Sequence, residues 1–163
     1  MKKRKNKLVI TIGDFNGIGA EIIIKTFQDN RMMDFCTPII FGSSKVASIH
    51  RKAIEIQDFS FNTINNINDI NPKRANLLNI WNDEIDVNFG KATPRSGELA
   101  FNSLKRASDA LKKKEVDVLV TAPINKASIQ ERVPGFIGHT EFLEGNFKGD
   151  ALMIMASEKM RIA

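Results

Sequence analysis

Cysteine is almost absent. Cys36 is the sole one, so no internal disulfide can form, which fits a reducing compartment. Histidine is nearly as scarce, with only His50 and His139. There is no H-x-x-x-H and no C-x-x-C, so no obvious structural or catalytic metal set can be assembled. Long hydrophobic runs are missing too. The apolar stretch 8–12 is too short for a signal segment and is followed by Asp14 and Asn16. No run approaches the roughly 20 apolar residues of a membrane span. A cytoplasmic protein without membrane contact is expected. A basic body is lacking as well. The net charge is +5, but Lys2, Lys3, Arg4, Lys5 and Lys7 sit in a tail spanning 1–7. Without them, 19 basic residues face 19 acidic ones. A nucleic-acid binder carries its basic face on the folded body, so no nucleic-acid partner is expected.

What remains is an ordinary globular composition. The 163 residues are 42% hydrophobic and 26% charged, enough for a real core. Residues 8–12 read as a strand, 13–19 as a glycine loop and 20–27 as a helix, the opening of a βα unit. Residues 38–41 form a second strand, and Ser43 or Ser44 would cap a helix over 45–53. The Asn-rich stretch 56–73 reads as an irregular connection with an edge strand, and 77–81 as a further strand. Ser96 is the expected N-cap of the strongest helix. Ala100, Leu104, Ala107 and Leu111 share one of its faces, and Lys112, Lys113 and Lys114 close its last turn. That helix feeds the run 116–120, expected as a buried parallel strand that Pro123 terminates. The strand 151–156 and a second one from Met160 end the chain. An end inside an apolar strand suggests the N-terminal part of a longer protein.

Ligands in open α/β sheets bind beyond the carboxyl ends of strands, which places Asn125 and Lys126 in a cleft. Lys126 would be a charge partner for a phosphate or carboxylate, or a helix-start lysine facing solvent. A helix starting at Thr140, behind Gly138 and His139, would turn free N–H groups toward the same cleft. Glu141 reads as a first-turn helix residue, and His50 as a structural residue of a polar helix. The loop Gly13-x-x-x-Gly17-x-Gly19 lacks the G-x-G-x-x-G spacing and a Walker lysine, so spacing alone makes it a strand-to-helix turn.

Three separated motifs, ITIGDFNGIGAEI at 10–22, TAPINK at 121–126 and GHTEFL at 138–143, resemble the signatures of the 4-hydroxythreonine-4-phosphate dehydrogenase family of pyridoxal-phosphate biosynthesis. The resemblance runs from about Leu8 to the last residue. It departs at Phe15 and Ala20, where proline is usual, which is expected to loosen the loop. The implied fold is α/β, the two-domain isocitrate/isopropylmalate dehydrogenase type, present as its N-terminal half. Residues 8–125 would belong to the first domain and 126–163 to the start of the second. The implied activity of the whole protein is NAD- or NADP-dependent oxidation, then decarboxylation, of 4-hydroxythreonine 4-phosphate. The resemblance implies that His139 and Thr140 contact the phosphorylated substrate, with Asp14 and Asn16 beside the cleft. It also implies a homodimer and a divalent metal such as Zn, Mg or Co, held by residues outside this chain. No acid–base residue can be named, and the 163-residue chain alone is expected to be inactive and prone to associate. Two alternatives stay open: a related dehydrogenase of another phosphorylated hydroxy acid, and a non-catalytic phosphometabolite-binding module.

Overall fold

The computed structural model describes residues 4–163; Lys2 and Lys3 of the basic tail lie outside the described residues. Five parallel strands form the main sheet: β1 (Asn6–Thr11), β2 (Cys36–Gly42), β3 (Asn62–Ile64), β4 (Asn76–Asn79) and β5 (Val118–Thr121), in the order β3-β4-β2-β1-β5. Val9 pairs with Ile39 and Leu119, and Ile10 with Ile40 and Val120.

Strand side chains alternate between faces, and the core divides accordingly. Ile10, Ile40 and Leu77 pack beneath α1 (Gly19–Phe27) and α2 (Ser44–Ala53), with Ile23, Ile24, Phe27, Val46 and Ala47. Val9, Ile39, Phe41 and Leu78 face the opposite side, against Ala107 and Ala110 of α3 (Pro94–Lys112). Ser103 of α3 joins the two strand ends: its Oγ donates to the Phe41 carbonyl at 2.7 Å and accepts from the Ile12 N–H at 3.3 Å.

This winding creates a switch point. From β1 the chain crosses to β2 over one face through α1. The strand on the other side of β1, β5, is reached over the opposite face through α3. The two connections diverge at the carboxyl ends of β1 and β5, which opens a crevice there.

Four local expectations change. The cap of α3 is Thr93, not Ser96: Thr93 Oγ1 accepts from the Ser96 N–H at 3.1 Å, and Ser96 Oγ accepts from the Thr93 N–H at 3.2 Å. Pro94 at the first helical position accounts for the earlier start. Ser43 occupies the cap of α2 but makes no side-chain cap bond; the Ser44 N–H donates instead to Asn79 Oδ1 at 2.8 Å. β1 begins at Asn6, so Lys7 lies in the sheet, while Arg4 pairs with Asp117. Finally, β5 is an edge strand, not a buried one: Leu119 packs on the α3 side, but Val118 and Val120 are 40% and 43% exposed. Among the described residues its only strand neighbour is β1, and neither Val118 nor Val120 joins the core cluster of α1 and α2.

Beyond β5, α4 (Lys126–Gln130) lies against α3. The contact is so close that a Cβ on Gly97 would fall 2.2 Å from the Ser128 carbonyl carbon and oxygen. α5 (His139–Glu144) is held by an aromatic trio, Phe101, Phe136 and Phe142, with ring centroids 5.4–6.4 Å apart. The chain ends in an exposed antiparallel hairpin, β6 (Met155–Ala156) with β7 (Arg161–Ile162). Both strands are shorter than the stretches expected over 151–156 and from Met160.

Candidate active site

A groove of about 290 Å³ occupies the crevice between the ends of β1 and β5. Asp14, Asn16, Gly17 and Ile18 line it from the glycine loop, and Pro123, Ile124 and Asn125 from the end of β5. The third wall, Gly90, Lys91 and Ala92, was not anticipated. Gly90 has φ +76°, a conformation that favours glycine, so its presence before Pro94 was the one available sign of a tight turn.

The glycine loop fits here because it has almost no side-chain bulk where it meets β5. Gly13 has φ +73°, and a Cβ there would lie 2.3 Å from the Pro123 carbonyl oxygen. That approach lets the Asp14 N–H donate to the same carbonyl at 3.0 Å. Asp14 is buried, and its carboxylate accepts from the Asn16 N–H at 2.9 Å and from Ser96 Oγ at 3.1 Å. Asn16 is buried as well. Its Oδ1 accepts from the Asn88 N–H at 2.8 Å, its Nδ2 donates to the Lys91 carbonyl at 2.8 Å, and its own carbonyl accepts from the Gly90 N–H at 2.8 Å. Both side chains therefore line the groove with their polar atoms already engaged in tying loops together. Phe15, at one of the two departures in this loop, is buried in the main core, and its carbonyl bonds His50 Nε2 at 2.7 Å. His50 is a buried structural residue, packed edge-on against Phe89.

Asn125 caps α4, its Oδ1 accepting from the Ser128 N–H at 3.0 Å. That cap turns the chain so that Lys126, at the first helical position, reaches a second corner. There Lys126 Nζ lies 3.4 Å from the point a Cβ on Gly138 would occupy, and Glu141 Oε2 lies 2.9 Å from it. α5 starts one residue earlier than expected, at His139, behind Gly138. His139 is half-buried, and its Nε2 is fully buried without a hydrogen-bond partner among the described residues. Burial, and then the nearby Lys126 ammonium, hold the imidazole below the usual histidine pKa, favouring its neutral form. Thr140 follows on the same helix, half-buried. The site residues thus fall in two adjoining places: Asp14, Asn16 and Asn125 in the groove, Lys126 and His139 in the corner. Among the described residues, no three His, Cys, Asp or Glu side chains converge to hold a metal. No helix among them is long and apolar enough to cross a membrane.

The sequence model of the family described as "Pyridoxal phosphate biosynthetic protein PdxA" matches residues 34–163. The chain belongs to the PdxA family. It is 42% identical, over its entire length, to the Bacteroides thetaiotaomicron protein named 4-hydroxythreonine-4-phosphate dehydrogenase, and covers 45% of that protein. A Fusobacterium nucleatum relative, named "Putative D-threonate 4-phosphate dehydrogenase", is 30% identical over 97% of the chain and 48% of its own length. The crystal structure of a 4-hydroxythreonine-4-phosphate dehydrogenase from Burkholderia phymatum superposes with a TM-score of 0.86 at 22% identity, over 98% of this chain and 49% of that one. The PdxA-family chain therefore has the fold of about half of that enzyme, and spans about half the length of the curated relatives it matches.

Proposed function

We propose that this chain supplies the substrate corner of a dehydrogenase that oxidises 4-hydroxythreonine 4-phosphate in pyridoxal-phosphate biosynthesis. The 42% identity across the whole chain to a protein of that name carries the reading. The corner supports it chemically. His139 offers a buried ring nitrogen without a partner, and Lys126 a cation with no carboxylate within 4.0 Å among the described residues. Such groups suit the phosphate end of a substrate. His139, Thr140 and Lys126 bind and orient that substrate; Asn125 places Lys126; Asp14 and Asn16 hold the groove wall.

A bound nicotinamide cofactor, NAD or NADP, would supply the acceptor for the hydride of the 3-hydroxyl carbon, while the hydroxyl proton would leave to a base. The resulting β-keto acid loses carbon dioxide to yield an aminoacetone phosphate. The base is not among the residues assigned above. The divalent metal that the family resemblance implies would be held by residues outside this chain. The reading includes a cytoplasmic homodimer, with residues 8–125 in a first domain and 126–163 opening a second.

A second reading has its own support. The Fusobacterium nucleatum relative bears the name of a D-threonate 4-phosphate dehydrogenase, and a phosphate-binding corner serves either compound. The test is NADH formation by the natural-length protein with each substrate and an added divalent metal. Turnover with 4-hydroxythreonine 4-phosphate supports the first reading. Turnover confined to D-threonate 4-phosphate supports the second. None with either leaves a phosphometabolite-binding module.

A further inference from the structure

A second polar concavity lies at the opposite edge of the sheet from the groove. β3 and β5 are the two edge strands, four strand spacings or about 19 Å apart. Thr63 of β3 pairs with Leu77 of β4, and Leu77 packs beneath α1 and α2, so Thr63 faces the same side of the sheet. Ser44, Ser48 and Arg51 follow one another at i, i+4 and i+7 along one face of α2. With Ser60 and Thr63 they line a pocket of about 150 Å³. Its polar side chains can all donate, and none of the lining residues is acidic. The guanidinium is anchored: Arg51 Nη1 donates to the Gln57 carbonyl at 3.2 Å and to the Phe59 carbonyl at 3.1 Å. Tying that turn to α2 uses Nη1 alone. Among the described residues Nε and Nη2 make no hydrogen bond, and no carboxylate lies within 4.0 Å of Arg51. The hydroxyls of Ser44, Ser48 and Thr63 are unbonded among the described residues as well; Ser44 engages only its N–H, toward Asn79. Ser60 Oγ accepts from Arg74 Nη2 at 3.0 Å, which leaves its own proton to donate.

We infer that this pocket binds a tetrahedral oxyanion, either free phosphate or the phosphoryl group of a phosphomonoester. The free edge of Arg51 and the hydroxyls of Ser44, Ser48 and Thr63 hold it. A guanidinium edge matches two oxygens of such a group, and the hydroxyls donate to the others. Three hydroxyls and a planar fork suit an anion with three or four oxygens better than a carboxylate with two. Anchoring of Nη1 means that the cation is already in place, so little ordering is lost on binding. The volume sets the size of the guest. It lies below the roughly 300 Å³ at which sites for drug-sized ligands begin, so one anionic group enters and any ester carbon stays outside. The site uses no residue of the groove or the corner and does not depend on the dehydrogenase reading.

The test uses the natural-length protein at constant ionic strength, with inorganic phosphate as the probe. Calorimetry should show a phosphate bound to the parent that is lost in Ser48→Glu, whose carboxylate lies one turn from Arg51 on the helix and takes up its free edge. Thr63→Val, a change of similar shape at an exposed strand position, should weaken that binding about fivefold through the loss of one hydroxyl. Neither change touches the core, so the unfolding midpoints without phosphate should stay near that of the parent. Crystals soaked in tungstate, a tetrahedral oxyanion with a strong anomalous signal, should show the ion against Arg51, which separates this site from any anion held at the Lys126–His139 corner. An unchanged phosphate isotherm in either variant, or tungstate confined to the corner, would overturn the assignment. Glycerol 3-phosphate distinguishes the source of the anion. Tighter binding than inorganic phosphate supports the phosphoryl group of an ester, and weaker binding supports the free ion; both should be lost in Ser48→Glu.

Discussion

The groove and the corner lie side by side, and both are lined with polar residues, yet they treat those residues in opposite ways. In the groove, Asp14 and Asn16 are buried with their side-chain polar atoms bonded to the chain's own loops. In the corner, the buried His139 Nε2 has no such bond among the described residues, and the Lys126 ammonium is exposed. Polar atoms that are fully satisfied specify a fold; polar atoms buried and left open await something else. Proximity to a cleft alone would have ranked all of them equally. Bonding separates the residues that build the cleft from those free to bind in it.

The sharpest way to break this division is to disturb what supports both places. Gly97→Ala puts a Cβ into the Ser128 backbone, so α3 and α4 must separate. It should destabilise by about 3 kcal/mol or more in urea unfolding, beyond ordinary overpacking because backbone cannot yield as a side chain does. Asn16→Ala comes next. It strands the Asn88 N–H and the Lys91 carbonyl in a half-buried setting and should cost about 2 kcal/mol by the same measurement. His139→Ala should change stability by no more than about 0.5 kcal/mol, since it removes a polar atom that bonds to nothing in the fold.

A pH series sharpens the contrast at smaller amplitude. His139 has a folded-state pKa below its unfolded value of about 6.5, so its neutral form is the one the fold favours. Unfolding then takes up a proton as pH drops, and stability declines from about pH 6.5 down to the folded-state pKa, below which the contribution levels off. Half exposure keeps the effect small. The slope in that window should be shallower in His139→Gln, and in Lys126→Met, than in the parent protein, as read from thermal midpoints at constant ionic strength.

Much of the fold was legible because it depends on local pattern. The β1–loop–α1 unit, β2, α2 and the buried stripe of α3 follow from alternating and helical periodicities that neighbours in sequence determine. What escaped depends on partners far along the chain. That β5 is an edge strand follows from strand order, which its apolar residues do not encode. The Asn16 contacts reach residues more than 70 positions away, and nothing in the loop's own sequence points to 88–91. The Thr93 cap was overlooked beside Ser96, although the two hydroxyls act as a reciprocal pair. The corner was the best-marked part of the site, because the GHTEFL and TAPINK motifs carry it. Its unsatisfied bonding could only be seen once α4 and α5 were placed together.

Binding of 4-hydroxythreonine 4-phosphate by calorimetry, to the natural-length protein and to its His139→Ala and Asn16→Ala variants, tests the division most directly. The account predicts that His139→Ala keeps its unfolding midpoint and binds at least about tenfold more weakly, the loss of one charge-assisted hydrogen bond. It predicts that Asn16→Ala, at a temperature where it remains folded, binds within about threefold of the parent while unfolding more easily. Parental affinity in His139→Ala, with the larger loss falling in Asn16→Ala, would contradict it.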